Sequence, residues 1–219
     1  MNVCHPINDE LLMGYAAGLL PQAYDLIVAT AVSLDDDARA RLSGFEAMGG
    51  ALLDEVEVAP LRDDSFDCVM ARIAGTGRDD TVHADIKTPR VDAVLPHPLR
   101  EAVGGDIDSL RWRNVGMGVR QIIIADDDGD ATARLLSIPA GQAMPDHGHS
   151  GTEITLVLKG AFVDGADRFA RGDVEIADDD VEHMPVADLG EECICLVVTD
   201  APLRFNAILP RIAQRFLNI

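Results

Sequence analysis

The chain has 219 residues, 47% of them hydrophobic and 26% charged, and carries a net charge of −20 at neutral pH. That length suits one or two domains with real cores, and no run of eighteen apolar residues is present to span a membrane. The excess of acid is spread evenly over residues 1–97 and 98–219, which argues against direct nucleic-acid binding and suits solubility or a basic protein partner.

The N-terminus, MNVCHPINDE, has neither the basic start nor the apolar stretch of a signal peptide, so a cytoplasmic placement is expected. Asn8 can cap a first helix with Asp9 and Glu10 in its first turn, Leu11, Leu12, Tyr15 and Ala16 at helical spacing, and Gly18 at its end. Pro21 suits the start of a second helix containing Tyr24, Leu26, Ile27 and Val28. Ser33 or Asp35 can cap a third, running through Leu42, Phe45, Met48, Leu52 and Leu53, although Gly44, Gly49 and Gly50 weaken its continuity. A fourth spans Asp64 to Ile73. Residues 1–74 therefore read as a small helical bundle. Residues 75–98 lack periodicity and carry Gly, Pro and charge, which reads as a linker with His83 and His97 solvated.

From residue 99 to 219 the texture changes to short β runs around Trp112 and over residues 119–124, 131–138, 153–158, 174–176 and 193–199. Turn signals separate them at 126–129, 139–141, 163–165 and 178–180, and Pro210 to Phe216 suits a closing helix. Many short strands at such intervals argue a barrel or jelly roll. The four cysteines, at 4, 68, 193 and 195, form no CxxC pair. Reduced thiols are expected, with Cys193 and Cys195 packing on one strand face.

The densest chemistry lies in GQAMPDHGHSGTEITLVLKG, residues 141–160. His147 and His149 are two apart, so a strand points both rings to one face. Glu153 opens the next β run, and His183 follows Gly172 by eleven residues. Three imidazoles and a carboxylate form a complete ligand set for a divalent transition metal, zinc ahead of iron, manganese or nickel. Asp146 should point to the opposite face. Glu175, Glu182, Arg120 and Arg134 have no assignable place.

The spacing Gly, five residues, His-x-His, three residues, Glu, six residues, Gly resembles the first motif of the cupin superfamily. Gly172 and His183 keep the distance of the second cupin motif. Asp178 and Asp180 stand at its usual Pro and Gly positions, and Ala187 stands where Asn is common. The expected fold is α+β and multidomain: an N-terminal helical bundle followed by an all-β cupin (jelly-roll) barrel.

The whole order is similar to ChrR-type anti-sigma factors. The resemblance rests on INDELLMGYAAGLL, PQAYDLIVATAVSL, RWRNVGMGVRQ, the motif above and TDAPLRFNAILPRIAQRF. It implies a cytoplasmic stress-response regulator that holds an extracytoplasmic-function sigma factor inactive, the cupin acting as sensor of an oxidant or small molecule. It also implies an N-terminal zinc site of one early His and a His-x3-Cys-x2-Cys run. Here those positions fall on Pro6, beside His5, and on Ala31, Asp35 and Ala38, so no N-terminal zinc is expected. Leu11, Leu12 and Tyr15 are candidate partner contacts, with an ordinary bundle core as the competing role. Two other functions compete: a metal-dependent cupin enzyme (dioxygenase, isomerase or lyase) with no assignable catalytic residue, and a ligand-binding or storage cupin. Oligomeric state is left open.

Overall fold

The computed structural model describes residues 3–75, 93–126, 131–201 and 204–205. Helix α1 (Asp9–Ala16) begins where the Asn8 side chain accepts the Leu11 amide at 2.9 Å. Helix α2 (Gln22–Leu34) follows Pro21. Helix α3 (Asp36–Asp54) starts at Asp35, whose carboxylate accepts the Asp37 amide at 3.1 Å, while Ser33 bonds back to the Thr30 carbonyl instead. It runs unbroken through Gly44, Gly49 and Gly50. Docking of Ala38 and Leu42 into the core and the Arg41 ion pairs with Asp9 and Asp37 outweigh the weak glycine propensity. Helix α4 (Ser65–Gly75) buries none of its residues. Helix α5 (His97–Val103) has Pro98 in its first turn and Gly104 past its end, and is too short for periodicity to announce it.

The strands are β1 (Arg113–Gly116), β2 (Val119–Asp126), β3 (Thr132–Ile138), β4 (His147–Gly148), β5 (Glu153–Lys159), β6 (Ala161–Asp164), β7 (Asp167–Ala170), β8 (Val174–Ala177), β9 (Glu182–His183), β10 (Val186–Ala187), β11 (Cys193–Thr199) and β12 (Arg204–Phe205). They form a six-stranded sheet, β1-β2-β3-β11-β5-β8, and two three-stranded sheets, β10-β6-β7 and β12-β4-β9. The β6–β7 hairpin turns at Gly165, where the turn signal stood, although its four-residue arms gave no strand pattern. Gly160 turns β5 into β6 with φ +67°, and a Cβ there would lie 2.5 Å from the Glu192 carbonyl oxygen. His83 and the expected helix over 210–216 lie outside the described residues.

The large sheet is the middle layer. Ile154, Leu156 and Leu158 of β5 and Ile194, Leu196 and Val198 of β11 join Ile7, Leu12, Ile27, Val28 and Leu99 in one core beneath the helices. The alternate residues Val157, Cys193, Cys195 and Val197 face inward and pack with Phe162, Phe169 and Ala187 of the β10-β6-β7 sheet. Cys193 and Cys195 are free thiols, buried, with sulfurs 3.5 Å apart. Burial on both faces explains why β11 and most of β5 read as apolar rather than alternating.

The chain's start is tied to the sheet as well. The amides of Cys4 and His5 donate to the buried Asp173 carboxylate at 2.6 and 2.9 Å, the Val174 amide donates to the His5 carbonyl at 2.8 Å, and the His5 ring lies 4.4 Å from Phe169. Ala31 and Ala38 sit buried in the shared core, and Asp35 caps α3. At those three positions the chain thus has apolar packing and a helix cap.

Candidate metal centre

Strand pairing brings the four expected ligands together. β4 pairs with β9 so that His147 faces His183, and β5 carries Glu153 at its first position. His149 lies just past β4, and its ring centroid is 5.2 Å from that of His147. All four residues are 2–8% exposed. Their ligand atoms lie within 4.8 Å of one another.

The ring tautomers follow from the neighbours. His147 Nδ1 lies 2.8 Å from the Pro145 carbonyl and His183 Nδ1 lies 2.8 Å from Asp164 Oδ2. Both partners only accept, so each Nδ1 carries the proton and each Nε2 turns its unprotonated side inward. Those two Nε2 atoms are 3.2 Å apart, and His149 Nε2 is 3.1 Å from that of His183. Facing lone pairs repel unless a cation lies between them. Two imidazole nitrogens bound at about 2.0–2.1 Å to one ion are themselves about 3 Å apart, so the donor set fits a transition metal. Glu153 adds one negative charge, with its Oε2 3.9 Å from His149 Nδ1.

Burial holds His147 below the ordinary histidine range, which favours the neutral form that binds metal. Burial pushes Glu153 up, and the charges of His147 and Arg134 oppose that rise. Arg134 is buried on β3, its Nη2 3.4 Å from Thr199 Oγ1, so it lies in the interior; Arg120 pairs at the surface with Glu192 at 3.1 Å and lies over Trp112. Asp146 is exposed, as the alternation required, and Glu182 is exposed too.

Two acids beside the ligands escaped the sequence reading. Asp164 holds His183, and Glu175 gathers with Asp164 and His183 in a second close group. Burial, then the charge and hydrogen bond of Asp164, push Glu175 up to about 8. No motif spacing marks either acid. The only hint was inward alternation on β8, where Glu175 interrupts Val174 and Ile176.

Of the candidate contacts on α1, Leu12 is fully buried, and Leu11 and Tyr15 pack half-buried against the core. Exposed apolar side chains concentrate elsewhere, at Leu52, Leu53, Val58 and Leu61 and along α4. Among the described residues no helix is long and apolar enough to cross a membrane.

Residues 100–202 match the family described as the ChrR cupin-like domain. The anti-sigma-E factor ChrR of Cereibacter sphaeroides is 48% identical over 219 residues, covering 100% of both chains. A crystal structure of Rhodobacter sphaeroides SigE in complex with the anti-sigma ChrR superposes with a TM-score of 0.77 at 46% identity, covering 91% of this chain and 100% of that one. Identity of this extent, over helices and cupin alike, makes the chain a member of the ChrR family of anti-sigma factors.

Proposed function

We propose that the chain sequesters an extracytoplasmic-function sigma factor in the cytoplasm, and that its cupin holds one divalent metal, zinc first, as part of a sensor for oxidative or small-molecule stress. The single observation that carries the partner is α4. Phe66, Val69, Met70 and Ile73 follow the spacing of one helix face and stand exposed, Phe66 at 73% and Ile73 at 61%. An apolar face of that kind on a protein otherwise rich in charge marks an interaction surface. The ChrR relative is itself seen in complex with SigE. Leu11 and Tyr15 keep part of their surface and remain in the proposed contact region; Leu12 serves the core.

In this reading residues 1–74 carry the inhibitory surface and residues 99–219 the sensor. His147, His149, Glu153 and His183 hold the ion, which when bound supplies Lewis acidity and a charge that locks the four side chains. Arg134 steadies the Glu153 carboxylate, and Asp164 orients His183.

The test is co-purification of the full-length chain with an extracytoplasmic-function sigma factor of the same organism, with elemental analysis of the complex. A stoichiometric complex is expected, weakened by Phe66→Glu plus Val69→Glu without loss of metal. No binding at micromolar concentration rejects the reading. One observation favours a second reading, a cupin metalloenzyme: Glu175, half-buried beside Asp164 and His183 and pushed up by burial, is placed as a general acid. Loss of a turnover by Glu175→Gln with sigma binding intact would establish it.

A further inference from the structure

Asp200 follows β11 directly and lies against the loop between His149 and Glu153. Its Oδ1 accepts the Thr152 amide at 2.7 Å, and its own amide donates to the Thr152 carbonyl at 3.3 Å. Gly151 packs so closely that any side chain there would overlap the Asp200 carboxylate. The other carboxylate oxygen, Oδ2, accepts the phenol of Tyr24 at 3.1 Å, across 176 residues of sequence.

Tyr24 stands in the first turn of α2. The buried residues of that helix, Ala23, Ile27, Val28 and Ala31, belong to the core shared by the helices and the sheet. A chain of direct contacts therefore runs from two metal-ligand positions, through Gly151 and Thr152, to Asp200, to Tyr24 and into α2. We infer that Tyr24 and Asp200 are positioning residues that transmit the occupancy of the metal site to the helices. The inference deepens the sensor reading above and rests on it.

The physical reason is geometric. Bound metal would hold His149 and Glu153 on either side of residues 150–152. Loss of the ion removes the attraction that draws the imidazoles and the buried carboxylate together, and the three-residue span between His149 and Glu153 is free to shift. Asp200 holds that span by the Thr152 amide and Tyr24 by the phenol, so the shift changes the seat of α2. Coupling of this kind is a free-energy difference between two arrangements and acts in both directions. A tyrosine that only packed against the barrel would not need its hydroxyl for this.

The experiment uses the full-length chain, zinc(II) as the metal probe and amide hydrogen exchange as the readout. Removing zinc from the wild type should speed exchange in residues 150–152 and in α2 by about fivefold or more. Tyr24→Phe keeps the ring and should keep zinc stoichiometry and the response of residues 150–152, while the α2 response disappears. An α2 response equal in Tyr24→Phe and wild type, or absent from wild type, overturns the link. Capture of the sigma factor is measured separately, and its failure overturns the inhibitor reading rather than the link.

Discussion

His147 and His183 each give the Nδ1 proton to a fixed oxygen, and that outward bond decides which nitrogen faces the centre. Asp164 is the stronger orienter of the two, because a carboxylate accepts the Nδ1–H with a full negative charge. Asp164→Ala should weaken zinc affinity by about 10- to 100-fold, read by competition with a chromophoric chelator, with little change in the fold of the metal-free chain. Glu175 yields a pH prediction for metal-free protein. Its folded value is raised to about 8 from 4.5. The unfolded chain releases this proton above pH 4.5 while the folded chain retains it, so stability falls as pH rises through that window. Glu175→Gln removes the loss. Its Tm should match the wild type below pH 4.5 and exceed it at pH 8, as thermal scans in chelator would show. The clustering of His147, His149, Glu153 and His183 was legible, because a strand of period two and a fixed count of residues are local properties. Asp164 and Glu175 were not, because they meet His183 only when separate strands fold over each other.

Among the elements, caps and turns were the most readable features. Asn8 and Asp35 cap α1 and α3, and Gly165 turns β6 into β7. Gly160 combines a left-handed φ with close backbone approach. Gly160→Ala should cost at least about 1–2 kcal/mol and lower Tm by several degrees in thermal unfolding. The short elements were unreadable for a different reason. Helix α5 has seven residues and β6 and β7 have four each, less than the window in which a period shows. The opposite error arose in α3, where three glycines suggested a break. Packing of its first half and exposure of its glycines to open space let the helix continue.

For the molecule as a whole, the helices and the large sheet share one core, so they should unfold as a unit. Trp112, the chain's only tryptophan, packs at the edge of that core with its indole nitrogen on the Ile107 carbonyl. Its fluorescence and the helical circular dichroism should melt at one midpoint. Ile27→Ala in α2 should move both together, at a cost of about 2–5 kcal/mol. Two separate midpoints would show that the layers are independent.

By itself the sequence determined which residues, His147, His149, Glu153 and His183, form the candidate cluster, the order of helices before strands and the family, because spacing, period and a long aligned stretch are carried along the chain. Only the tertiary structure decided which faces of β5 and β11 meet helix and which meet barrel, that Leu12 is buried while α4 lies exposed, and that Tyr24 reaches Asp200. Those facts depend on which surfaces exclude water together, and segments far apart in the chain settle that only when they pack.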